Sequence, residues 1–83
     1  MKIQVVYFAR VRERIGVPKE TVETEALTVA DLVSELVARE ERYAAAFVDM
    51  SVVRVALDQA LVALDTPLGE TREIAFFPPM TGG

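Results

Sequence analysis

The chain has 83 residues, nine Lys and Arg against thirteen Asp and Glu, a formal net charge of −4, and no His, Cys or Trp. That length allows one small domain. The missing residue types exclude a disulfide framework, a thiolate nucleophile, a sulfur-ligated metal site and the imidazole that commonly serves as base or metal ligand. An acidic chain also suits nucleic acid poorly, because phosphates must be neutralised by Lys and Arg. A carrier or binding module fits these limits better than an enzyme with its own catalytic centre. Hydrophobic residues make up 52% of the chain, enough for a packed core and too much for disorder. No apolar run approaches the ~20 residues needed to span a bilayer. Met1 and Lys2 lead into a strand pattern without a cleavable leader, so a cytoplasmic location without membrane contact is expected.

The first element is Ile3-Gln4-Val5-Val6-Tyr7-Phe8, rich in β-branched and aromatic residues. It reads as a central strand, buried on both faces or nearly so. Phe8, Val11 and Ile15 then fall at helical spacing, and Gly16 can supply a left-handed stop. Pro18 re-extends the chain into Thr21-Val22-Glu23-Thr24, an edge strand by its weak alternation.

The clearest helix follows. Thr28 is a good N-cap, Asp31 completes a shortened capping box, and Leu27 and Leu32 stand at hydrophobic-staple positions. Val29, Leu32, Val33, Leu36 and Val37 form its apolar stripe, with Asp31, Ser34, Glu35 and Arg39 opposite. Tyr43, Ala44 and Phe47 suggest a shorter helix. Val52 to Leu57 and Ala60 to Leu64 read as a hairpin about Asp58-Gln59. Asp65-Thr66-Pro67 turns the chain again, and Glu73 to Phe77 is the last strand. Pro78 and Pro79 end it, since neither can donate to a ladder. The acidic residues Glu20, Glu23, Glu25, Glu40 and Glu41 read as solvated surface.

Strands running around one crossing helix argue for α+β with a mixed sheet, the last strand parallel to the first. This is the β-grasp, or ubiquitin-like, arrangement. It divides the chain into a β-grasp domain over residues 1–77 and a flexible tail over 78–83. Residues 74–83 carry no side-chain charge, and two of the four glycines are Gly82 and Gly83. Such a tail is thin enough to thread a channel, and its prolines keep its root extended. Its one reactive group is the α-carboxylate of Gly83, which becomes electrophilic only when activated, for instance as an acyl-adenylate. A frayed and functionless end accounts for the same residues.

Three segments carry a resemblance to a known family. They are Val6-Tyr7-Phe8-Ala9-Arg10-Val11-Arg12-Glu13 with Gly16 following, the helix start Thr28-Val29-Ala30-Asp31-Leu32, and the block from Glu73 to Gly83. Along nearly its full length the chain resembles the small subunits of molybdopterin synthases, which are ubiquitin-like sulfur carriers. It departs from them at Asp58, where the family usually has Asn, and at Thr71-Arg72-Glu73, where a Gly-Asp-Glu turn is usual.

The resemblance implies a mechanism in which other proteins supply the catalysis. A ubiquitin-activator-like adenylating enzyme attaches AMP to the carboxylate of Gly83, and a sulfurtransferase system replaces it with sulfur. The resulting thiocarboxylate enters the large synthase subunit and gives its sulfur to cyclic pyranopterin monophosphate, building the molybdopterin dithiolene. A heterotetramer of two small and two large subunits follows. Gly83 is then the sulfur-carrying residue, and Gly82 must stay small to pass the channel. No cofactor is bound; the acyl-adenylate and thiocarboxylate are transient, and no metal is involved. Phe8 and Leu61 match family positions of a hydrophobic docking face, which Phe77 would join, unless all three are ordinary core. Arg12 matches a position that contacts the adenylating partner, or is a solvated charge beside Arg10 and Arg14. Pro78, Pro79, Met80 and Thr81 complete the expected partner-binding segment. Related carriers for thiamine or tRNA thiolation share the fold and the Gly-Gly end. A β-grasp interaction module with an inert tail is the reading from a different class.

Overall fold

Alternation along the first strand sets the architecture. In a computed structural model of the chain, which describes residues 1–79, β1 (Lys2–Tyr7) buries Ile3, Val5 and Tyr7 and leaves Gln4 and Val6 partly exposed. The expectation of a strand buried on both faces is corrected: helices cover one face of the sheet, and the other is open. Helix α1 (Ala9–Ile15) turns Val11 and Ile15 inward. It stops at Gly16, whose φ of 98° is the left-handed value glycine adopts readily. Strand β2 (Lys19–Glu23) returns antiparallel to β1 and forms an edge.

Helix α2 (Val29–Arg39) starts with the predicted capping box. The Asp31 backbone N–H donates to Thr28 Oγ1 at 3.2 Å, and the Thr28 N–H donates to Asp31 Oδ2 at 3.3 Å. The expected staple does not form, because Leu27 is 76% exposed while Leu32 is fully buried. The first turn of α2 is tied down differently. The N–H groups of Val29 and Ala30 donate to the carbonyls of Thr66 and Leu64 at 3.1 and 2.9 Å. Two donors that a helix start leaves unpaired are thereby satisfied.

Helix α3 (Glu41–Ala46) buries Tyr43. The next segment departs from expectation, since Met50–Val52 is a 3₁₀ turn and β3 is confined to Arg54–Leu57. The cause is local: the Asp49 carboxylate accepts from the Ser51 N–H at 3.0 Å and from its hydroxyl at 2.5 Å, curling the chain before the strand begins. Asp58 and Gln59 both have positive φ, 47° and 74°, the backbone of a tight two-residue hairpin turn. Strand β4 (Ala60–Val62) is shorter than predicted, because the chain leaves the ladder to cap α2. Strand β5 (Glu73–Phe77) has the predicted bounds.

The sheet order is β2-β1-β5-β3-β4, with β1 and β5 parallel and every other pair antiparallel. This is the β-grasp topology, and β5 lies in its centre. The core joins Ile3, Val5, Ile74 and Phe76 from the sheet to Leu32 and Leu36 of α2. The Phe76 ring packs against Phe47 at 4.9 Å between centroids and stacks on Tyr7 at 6.2 Å. Fixing the central strand this firmly fixes the direction in which the chain leaves it.

Candidate functional site

The parallel pairing of β5 with β1 carries the chain out at the end of the sheet where α1 begins. The Phe8 N–H donates to the Phe76 carbonyl at 3.0 Å, extending that ladder one step past Tyr7. Pro78 and Pro79 follow β5 directly and are half-buried. Met80, Thr81, Gly82 and Gly83 lie outside the described residues.

Alternation on β5 sends Ile74 and Phe76 to the core and Ala75 and Phe77 to the open face. Phe77 pairs in register with Arg54, and Ala75 stands between Val6 of β1 and Ala56 of β3. Ala56 in turn pairs with Leu61 of β4. Small residues at the centre of that row leave the face flat between its larger apolar neighbours. Leu61 is 67% exposed and Phe8 is 47% exposed, so neither belongs to the core. Phe8 is extended, with φ −126° and ψ 153°, so it continues the β1 alternation onto the open face. Phe8, Phe77 and Leu61, from three separate parts of the sequence, therefore share one apolar surface at the root of the tail. Large exposed apolar side chains grouped in this way mark interaction surfaces.

The other predicted residues lie elsewhere. Arg12 is exposed on α1 and borders a shallow hollow with Gly16, Val17 and Pro18, apart from the open face. Pro78 and Pro79 line a groove of about 680 Å³ on the helical side of the tail root. Among the described residues no cluster of three Asp or Glu side chains could hold a metal ion.

Three polar arrangements escaped the sequence reading. Glu20 is not a solvated surface charge. Its Oε2 accepts from the hydroxyls of Tyr7 at 2.7 Å and Tyr43 at 2.5 Å, joining β1, β2 and α3. Arg42 adds a bond to the Tyr43 oxygen at 3.2 Å and donates to the Ile15 carbonyl at 2.9 Å, closing the end of α1. Burial, reinforced by the bond to Glu20, pushes the Tyr7 phenol well above the usual tyrosine range, and the same causes raise Tyr43. Glu35 is likewise engaged, accepting from the hydroxyl of buried Thr24. The third arrangement joins the two segments at which the chain departs from the family pattern. Asp58 Oδ1 accepts from the backbone N–H groups of Arg72 and Glu73 at 3.1 and 3.0 Å, pinning the hairpin to the start of β5. Residues that pair only in three dimensions leave no local periodicity to read.

Comparison with known proteins finds relatives in both sequence and fold. The ThiS family profile matches residues 5–83. The molybdopterin synthase sulfur carrier subunit of Escherichia coli (strain K12) is 41% identical over 81 residues, covering 98% of this chain and 99% of that one. The fold matches the crystal structure of SAMP1 from Haloferax volcanii, with TM-score 0.78, 22% identity and full coverage of both chains. It also matches a chain in the complex of subunits 1 and 2 of molybdopterin-converting factor from Helicobacter pylori 26695, with TM-score 0.66, 25% identity and full coverage of both.

Proposed function

This chain belongs to the ThiS family, and from that premise we propose that it is the sulfur carrier subunit of a molybdopterin synthase. The observation that carries the reading is the end-to-end 41% identity to a protein of that description. The geometry supports it. An apolar face built from Phe8, Phe77 and Leu61 adjoins the point where β5 releases the chain toward Gly82 and Gly83. A partner gripping that face receives the tail at the same time.

The chemistry then divides among proteins. The chain contains neither Cys nor His, so a transferable sulfur is carried on the carboxyl group of Gly83. An adenylating enzyme joins that carboxylate to AMP from ATP, releasing pyrophosphate and creating an acyl group with a good leaving group. A sulfurtransferase system with a thiol reductant then supplies sulfur at the sulfide level, which forms the carbon–sulfur bond, displaces AMP and leaves a thiocarboxylate. In the large synthase subunit the sulfur attacks cyclic pyranopterin monophosphate, and hydrolysis returns the carboxylate for another round. Gly82 keeps the last segment narrow enough for the partner's channel. Arg12 is the contact to the adenylating enzyme, away from the face used by the synthase. A cytoplasmic location follows from the partners; among the described residues no helix is long and apolar enough to cross a membrane.

The test is reconstitution. Thiocarboxylated protein mixed with the large subunit and the pterin substrate should yield molybdopterin, and the carboxylate form should not. Equal product from both forms would overturn the reading.

A further inference from the structure

Strand β2 ends the sheet, so one side of its backbone has no partner strand among the described residues. Two sets of bonds fix which groups lie on that side. The Thr24 N–H donates to the Met1 carbonyl and the Met1 amino group to the Thr24 carbonyl, both at 2.8 Å. At the other end the Tyr7 N–H donates to the Pro18 carbonyl at 2.9 Å. An antiparallel ladder alternates, so in the register of β1 with β2 the residues that also bond to β1 are Glu20 and Val22. Lys19, Thr21 and Glu23 therefore turn both N–H and carbonyl outward. The side chains of the same three residues are exposed, opposite the face that buries Val22. Lys2 stands across from Glu23 on β1, yet among the described residues neither Lys19 nor Glu23 is in an ion pair. Lys19 and Glu23 cannot pair with each other, since four steps along a strand separate them by about 13 Å.

We propose that this edge pairs with the same edge of a second copy of the chain, antiparallel about a twofold axis at Thr21. The choice of occupant rests on charge complementarity and on register. With Thr21 facing Thr21, Lys19 of each copy faces Glu23 of the other at the close spacing of cross-strand neighbours. All three are residues whose backbone groups point outward, so every one of these pairs can exchange both of its N–H to carbonyl bonds. An edge of one charge sign would repel its own copy, whereas this one is complementary to itself, as a twofold contact requires. The two sheets then run on as one. The β2 strand has five residues, well short of the roughly 20–30 a side of a stable interface, so the dimer is weak and forms at high protein concentration. Strand β4 and Leu61 lie at the opposite edge of the sheet and stay uncovered.

The test is sedimentation of the full chain over a range of concentrations, with melting curves as folding controls. The parent should show a monomer–dimer equilibrium that added salt weakens. Lys19→Glu and Glu23→Lys each alter an exposed side chain and should melt near the parent. The twofold axis makes each change count twice, placing like charges opposite one another at both ends of the contact. Each variant alone should therefore dimerise about fivefold or more weakly than the parent. An equal mixture of the two variants restores opposite charges at both ends and should regain the parent's association. Thr21→Pro removes an outward N–H without touching a bond to β1, and should also weaken the dimer. A parent that stays monomeric up to about 1 mM would overturn the proposal. So would unchanged association in both charge variants, or a mixture that associates no better than its components. Loss in Thr21→Pro with no effect of either charge change would place a contact on this edge in another register and overturn the pairing proposed.

Discussion

Glu20 holds two buried phenols at one carboxylate oxygen, and Tyr7 and Tyr43 are the chain's two tyrosines. Removing that acceptor leaves two donors in the protein interior without a partner. Glu20→Ala should therefore cost about 2 kcal/mol or more, read by denaturant or thermal unfolding. Glu20→Gln keeps an acceptor and should cost distinctly less; equal losses would show that the bonds contribute little. The same pair gives a pH signature. Both phenols have folded pKa values raised above their ordinary range. Their contribution to stability is thus fully present below about pH 10, the unfolded tyrosine value, and is lost as pH rises beyond it. Tyrosinate absorbance should stay flat through the normal titration and rise only together with the loss of helical circular dichroism. A rise at constant helicity would contradict the burial of both rings. This network was illegible in the sequence because its members are brought together from β1, β2 and α3, and a lone Glu in an edge strand carries no sign of its partners.

At the scale of elements, several features whose cause lies within a few residues were readable. The Thr28–Asp31 capping box, the Gly16 stop, the bounds of β5 and the alternation that separates Phe76 from Phe77 all follow from neighbours in sequence. The misread elements have non-local or competing causes. β4 ends early because Leu64 and Thr66 cap a helix more than thirty residues away in sequence, and β3 starts late because Asp49 bonds to Ser51. Leu27 stays exposed since its predicted partner Leu32 is already committed to the core. The open face itself was half legible. Sequence alternation placed Phe77 on it, whereas only the strand order brings Leu61 of β4 and Phe8, the residue after β1, to the same surface. Leu61→Asp changes an exposed side chain and should move stability by about 0.5 kcal/mol at most. Phe77→Lys can keep its methylene stem on the sheet and should also melt near the parent temperature. Both should weaken large-subunit binding about tenfold or more, as loss of a buried interface anchor does. Collapse of the fold in Leu61→Asp would place that residue in the core instead.

For the whole molecule, the sheet works as a rigid mount. Packing of Phe76, Phe47 and Tyr7 holds the central strand, and pairing with β1 sets where the chain leaves it. The fold thereby packs its core under the helices and leaves the large apolar side chains of Phe8 and Leu61 exposed on the open face. One residue added after Gly83 should therefore leave the melting temperature unchanged and abolish sulfur transfer; normal turnover by the extended protein would contradict the assignment of Gly83. The most direct test is the intact mass of the protein after co-expression with an adenylating enzyme and a sulfurtransferase. The account predicts a shift equal to one oxygen-for-sulfur exchange, absent when Gly83 is deleted. An unchanged mass, under conditions that load an established carrier, would contradict it and leave a β-grasp interaction module whose tail carries nothing.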